Sequence, residues 1–105
     1  MKKKIKGTLN RPRLYVFRSN KHIYGQVIDD SQNKILITKS SLLFYKNNPS
    51  QGSANCSAAT LVGKLIAEDC LKHGINKVVF DRGNKLYHGR IKALAESARQ
   101  EGIEF

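Results

Sequence analysis

The feature that most constrains the fold is a change of hydrophobic period partway along the chain. Residues 13–18 alternate between two faces and begin a stretch rich in strand-forming residues, whereas in residues 55–73 apolar side chains recur three and four apart. A period of two belongs to a strand with one buried face, and a period of 3.6 to an amphipathic helix. Residues 13–18 predict a first strand, with Leu14 and Val16 on one face and Arg13, Tyr15 and Phe17 on the other. Ser19-Asn20-Lys21 reads as a tight turn. A second strand over about 22–30 sets Ile23, Gly25 and Val27 opposite His22, Tyr24 and Gln26, and Asp30 to Asn33 supply the next turn. A third strand follows at about 34–39, built around Ile35 and Ile37. Three strands joined by short turns make an antiparallel meander.

Residues 40–53 are rich in Ser and Asn and read as a long loop, a tolerated surface insertion. Residues 55–73 are expected to be helical. Ala59, Val62, Ile66 and Cys70 form the apolar stripe, broadened by Ala58, Leu61 and Leu65. Gly74 sits where a helix end calls for a left-handed residue. Lys77 to Phe80 reads as a short buried strand, 81–88 as a polar loop, and Arg90 to Glu101 as a second helix with Ile91, Leu94, Ala95 and Ala98 inward. Phe105 is expected to pack back on the domain. The order is βββαβα, and a right-handed crossover makes the fourth strand parallel to the first. The expected fold is α/β: a mixed four-stranded sheet in the order 3-2-1-4, helices over one face, and a basic N-terminal arm. In this division residues 1–12 are a flexible arm in which nothing packs, and residues 13–105 are a single α/β domain.

Charge narrows the function. The chain has 19 Lys plus Arg against 8 Asp plus Glu, a net charge of +11. An excess of this size in a small chain points to a polyanion, usually nucleic acid. The charge is segregated. Residues 1–28 carry eight basic side chains and no acidic one, residues 77–92 carry five against one, and residues 93–105 carry one against three. No apolar run approaches the roughly 20 residues of a membrane helix, and no secretory signal or transit peptide is expected. Cys56 and Cys70 lie 14 residues apart in one predicted helix, so about 21 Å separates them. They cannot pair and read as small buried hydrophobes.

Two groups of residues suit RNA. On the sheet, Phe17 and Tyr24 lie among Arg13, Arg18, Lys21, His22 and Gln26; rings can stack on bases while Arg and Lys meet phosphates. The competing reading makes Phe17 and Tyr24 core residues under a helix. The second group is the loop Asp81-Arg82-Gly83-Asn84-Lys85-Leu86-Tyr87-His88-Gly89-Arg90, placed after a parallel strand and before a helix N-terminus. Enzyme signatures are weak. His22, His73 and His88 lack partners at zinc-ligand spacing, and no nucleophile motif or phosphate loop is present. Asp29, Asp30 and Asp81 could hold metal in a nuclease on a related α/β sheet, the alternative reading. Turn capping explains these acids more simply, and they are not expected to converge.

These same stretches carry a family resemblance. Arg11-Pro12-Arg13-Leu14, Val16-Phe17-Arg18-Ser19-Asn20-Lys21-His22-Ile23-Tyr24 and Gln26-Val27-Ile28-Asp29-Asp30 resemble the bacterial and organellar ribosomal protein eighteen of the large subunit. So do Val79-Phe80-Asp81-Arg82-Gly83, Leu86-Tyr87-His88-Gly89-Arg90 and Lys92-Ala93-Leu94-Ala95. The similarity spans about residues 11–105. It implies a structural protein without enzymatic activity, cofactor or metal. Such a protein binds 5S ribosomal RNA and helps attach it to the large-subunit ribosomal RNA in the central protuberance, beside neighbouring ribosomal proteins. It takes no small-molecule substrate and no membrane. The implied RNA contacts are the arm residues Lys2, Lys3, Lys4, Lys6 and Arg11, then Arg13, Phe17, Arg18, Ser19, Asn20, Lys21, His22, Tyr24 and Gln26. The second segment adds Arg82, Gly83, Lys85, Tyr87, His88, Gly89 and Arg90. Family members usually carry a longer, Arg-rich arm; here about a dozen residues precede the first strand. Thirteen Lys against six Arg, with eight Asn and nine Ile, point to an AT-rich genome. The Asn55-Cys56 start of the long helix is similar to plastid and cyanobacterial members, which favours a plastid ribosome over a bacterial cytoplasm.

Overall fold

A computed structural model of the chain describes residues 6–18, 22–41, 56–83, 87 and 89–105. Strand β1 is Arg13–Arg18, β2 is Ile23–Asp29 and β3 is Lys34–Ser40; helix α1 is Cys56–Lys72, β4 is Val79–Asp81 and α2 is Gly89–Gln100. The sheet order is β3-β2-β1-β4. β1 pairs antiparallel with β2 and parallel with β4, so the expected topology holds.

Alternation sets the two faces. Leu14, Val16, Ile23, Gly25 and Val27 are buried, and Tyr15, Phe17, Tyr24 and Gln26, which alternate with them, are half-buried. Both helices lie on the buried face: a side chain at Gly25 would meet Ile66 of α1 and Leu94 of α2. The core joins Leu14, Val16, Ile23 and Val27 to Ala59, Val62, Ile66 and Cys70 of α1, to Ile91, Leu94 and Ala98 of α2, and to Val78 and Ile103. Each large aliphatic side chain placed there contributes roughly 1.5–3 kcal/mol. The two helices approach closely at Gly63, where Ser97 of α2 donates its hydroxyl to the Thr60 carbonyl at 2.6 Å. Both helices end with a glycine at positive φ, Gly74 at 75° and Gly102 at 110°. The Ile75 amide reaches back to the Cys70 carbonyl, and Ile103 to Ala98. This six-residue closure satisfies carbonyls that a helix end leaves open.

Several expectations need correction. Ile35 and Ile37 do not share one environment: Ile37 is buried, but Ile35 is 54% exposed. A bulge between Val27 and Ile28 pairs Val27 with Ile37 and Ile28 with Ile35, so Leu36 is an extra residue and the alternation changes phase. The fourth strand begins two residues later than expected and includes Asp81. Lys77 instead bridges to Glu104, and the chain end lies beside residues 76–78. Ser41, expected in a loop, is buried and closes the hairpin; its hydroxyl accepts the Ile23 amide at 2.9 Å. Not all of residues 1–12 is free of packing. Pro12 is buried, and the buried Gly7 donates its amide to Asp30 at 2.6 Å. Residues 1–5, 19–21 and 42–55, and with them the expected turn at 19–21 and most of the expected loop at 40–53, lie outside the described residues.

Cys70 is buried and unpaired, as its place in the stripe requires; the Cys56 side chain lies outside the described residues. Burial, then the nearby Asp69 carboxylate, pushes the Cys70 thiol up from 9.0 to about 11. The unfolded chain therefore loses this proton first, and the thiol's contribution to stability is full below pH 9 and lost as pH rises toward 11. Equilibrium unfolding at pH 8 and pH 10.5 should show stability falling with pH, and Cys70→Ala should flatten that part of the fall. An equal fall in the variant would show that other groups cause it.

Candidate nucleic-acid interface

The face of the sheet opposite the helices carries the first group of candidates. Arg13, Tyr15 and Phe17 alternate outward on β1, and Tyr24 and Gln26 on β2. Phe17 and Tyr24 are cross-strand partners, with rings stacked at 4.9 Å and only 10° apart. Tyr15 stacks on Phe17 at 5.3 Å, and His22 meets Tyr24 edge-on at 6.4 Å. The result is a continuous ridge, Tyr15–Phe17–Tyr24–His22. Phe17 and Tyr24 are thus not core residues under a helix. Phe17 nevertheless spends its stacking surface on its neighbours, so the ridge offers ring edges and hydroxyls more than an open platform for a base. Arg18 is exposed at the end of β1 but alternates with Leu14 and Val16 and pairs with the buried Ile23, so it lies off the ridge face; Gln26 is half-buried beside the ridge.

The second group reaches the same region through strand order. Tyr15 pairs with Asp81, so the chain leaves β4 beside the middle of β1. Arg82 and Gly83 are exposed there. Gly83 and Gly89 have φ of 61° and 56°, with nothing nearby where a side chain would be. Their role is backbone conformation, not close packing. Arg90, half-buried in the first turn of α2, holds its buried Nη1 without a hydrogen-bond partner.

Two expected RNA contacts have internal duties. The Arg13 guanidinium bonds Asp30 through Nε at 2.9 Å and Nη2 at 3.2 Å, and Asp81 through Nη1 at 2.9 Å. The Asp30 hydrogen bond is the largest influence raising the pKa of Arg13, opposed by desolvation and aided by Asp81. Arg13 also lies over the Tyr15 ring at 5.4 Å. Tyr87 donates its hydroxyl to Glu96 at 3.0 Å, accepts from Arg99 at 3.1 Å, and packs edge-on against Phe80. Burial, then the bond to Glu96, raises its pKa. Neither role was legible from spacing, because the partners are 9 to 68 residues away.

The carboxylates follow the same pattern. Asp29, fully buried, caps its turn by accepting from the Ser31 amide at 3.0 Å and its hydroxyl at 2.5 Å. Asp30 and Asp81 converge, but on Arg13, and Asp81 also accepts the Gly83 amide at 2.9 Å. The turn-capping expectation therefore holds for Asp29 and Asp81, while Asp30 serves Arg13 and Gly7 instead. Among the described residues no three His, Cys, Asp or Glu side chains form a metal cluster, and no helix is long and apolar enough to cross a membrane. The exposed acids Glu101 and Glu104 lie at the far end of α2 and beyond it. Lys6 and Arg11 are exposed on the segment leading into β1. Lys2, Lys3, Lys4, Ser19, Asn20, Lys21, Lys85 and His88 lie outside the described residues.

A family model described as "Ribosomal L18 of archaea, bacteria, mitoch. and chloroplast" matches residues 1–105. The chain belongs to the ribosomal L18 family. The large ribosomal subunit protein uL18c of Gracilaria tenuistipitata var. liui is 60% identical over the full length of both chains. The uL18 protein of the cyanobacterium Trichodesmium erythraeum is 54% identical over all of this chain and 88% of its own. The uL18c protein of Pyropia yezoensis is 52% identical over the same shares. This L18 protein is therefore a structural protein of the large ribosomal subunit, not an enzyme, and its relatives support a plastid ribosome.

Proposed function

We propose that this L18 protein binds 5S ribosomal RNA and helps attach it to the large-subunit ribosomal RNA in the central protuberance, beside neighbouring ribosomal proteins. The observation that supports the reading is the pairing of β1 with both β2 and β4, which brings two basic segments distant in sequence onto neighbouring strands of one sheet, beside the aromatic ridge. The nearby acids Asp29, Asp30 and Asp81 are each engaged within the protein. Approaching phosphates thus meet Lys6, Arg11, Arg18 and Arg82 first. The lysines of the arm, Lys2, Lys3 and Lys4, with Lys21, Lys85 and His88, add to the same field. The aromatic ridge then selects by shape. Ser19, Asn20, His22, Gln26, Gly83 and Gly89 lie within or beside the two segments and complete the surface.

Counterion release makes such binding fall with salt, with a slope set by the number of phosphates neutralised. Purified protein should bind matched 5S ribosomal RNA near physiological salt in the presence of transfer RNA and duplex DNA. Equal and salt-labile binding to all three would reject 5S selectivity and leave charge alone acting. Single Arg18→Ala and Arg90→Ala variants should each weaken 5S binding while the fold survives, with Arg18→Ala reducing the salt slope by about one. Unchanged affinity in both would remove these residues from the interface.

A further inference from the structure

We infer that Arg13 is a positioning residue, which locks the two basic segments into one geometry by bridging Asp30 and Asp81. The inference rests on the RNA-binding reading above. The position of the bridge is its first support. Asp30 follows β2 and takes the amide of Gly7, so it ties down the segment that carries Lys6 and Arg11. Asp81 ends β4 and takes the amide of Gly83, so it shapes the start of the loop that carries Arg82. One guanidinium reaches both carboxylates at 2.9 Å. A planar fork with several donors can span two acceptors in this way; a single ammonium offers a point charge and no fixed fork.

Exposure and charge are the second support. The Arg13 side chain is only 16% exposed, and those of Asp30 and Asp81 are 23% and 16% exposed. The guanidinium has little surface left for phosphate. One cation against two carboxylates leaves the cluster with a formal charge of −1, the wrong sign for attracting RNA. Within a chain of net charge +11, such a cluster contributes geometry and not attraction.

Electrostatics and positioning therefore predict opposite signs for one substitution. Asp81→Asn raises the net charge by one, so a protein that acts through charge alone should bind 5S ribosomal RNA more tightly. On the positioning account it binds 5S roughly tenfold more weakly, as a displaced contact does, while its affinity for duplex DNA stays level or rises. Arg13→Lys supplies the second arm. A phosphate ligand would tolerate lysine; a bridge would not, so Arg13→Lys should lose 5S affinity with the salt slope unchanged. All binding is measured well below each variant's melting temperature. If Arg13→Lys fails to fold, Asp81→Asn carries the test by itself. Tighter 5S binding by Asp81→Asn, or wild-type binding by Arg13→Lys, would overturn the inference. Failure of the wild-type protein to select 5S over duplex DNA would instead reject the function on which it rests.

Discussion

A Gly63→Val chain should fail to fold, and Gly63→Ala should melt at least about 10 °C below the wild-type protein. At this position a β-carbon would run into the Leu94 carbonyl oxygen, with the Leu94 carbonyl carbon and Ser97 Cβ only 3.0 Å away. The obstacle is backbone, so no rotamer change relieves it, and the helices must separate. Separation also stretches the 2.6 Å bond from Ser97 to the Thr60 carbonyl and loosens Val62, Ile66 and Leu94. Overpacking commonly costs about 1–3 kcal/mol, and backbone against backbone belongs at or above the top of that range. A domain of this size holds only about 5–15 kcal/mol in total. Gly25→Ala is the natural comparison. Its β-carbon meets the Cδ1 end of Ile66, a side chain that can move, so the loss should be smaller. Thermal melts followed by circular dichroism settle the order. Equal melting of Gly63→Ala and wild type would contradict the helix contact.

The largest effect on binding is expected from reversing charge in both segments at once. Arg18→Glu with Arg82→Glu should lower 5S affinity by on the order of 10²-fold or more, because two phosphate contacts are lost and repulsion replaces them. Both side chains are exposed, so the melting temperature should stay near that of wild type. Reversal at Lys64 and Lys72, exposed on α1 on the helix side of the sheet, removes the same formal charge and is the matched control. That control should bind much more tightly than the Arg18/Arg82 variant. Equal losses would mean that net charge, not the location of charge, governs binding.

Strand order, helix faces and helix ends were legible because local rules determine them. Leu14 and Val16, or Ala59, Val62, Ile66 and Cys70, announce a buried face by spacing alone, and Gly74 and Gly102 announce an end. The bulge was not legible, because Ile35 and Ile37 fit simple alternation and the extra residue appears only when β3 is laid against β2. The bridge between Lys77 and Glu104 was hidden for the same reason: it depends on where the chain end arrives. The candidate interface divides along this line too. The aromatic ridge could be read from alternation, since Tyr15, Phe17 and Tyr24 share a face once the strands are drawn. The duties of Arg13 and Tyr87 could not. A basic or aromatic side chain in a basic segment looks like an RNA ligand until its acceptors are seen, and those acceptors, Asp30, Asp81 and Glu96, come from other parts of the chain. Family resemblance points to a candidate interface without separating residues that would touch a ligand from those that hold the surface in shape.

One surface, formed by the sheet face opposite the helices, the end of β1 and the loop after β4, is proposed to receive 5S ribosomal RNA. Amide chemical-shift mapping of isotopically labelled protein titrated with matched 5S ribosomal RNA tests it directly. The largest changes are expected at Arg18, Tyr24, Gln26, Arg82, Gly83 and Gly89, with Lys64, Glu68 and Lys72 of α1 nearly unchanged. Changes concentrated on that row of α1, with the sheet amides silent, would contradict it.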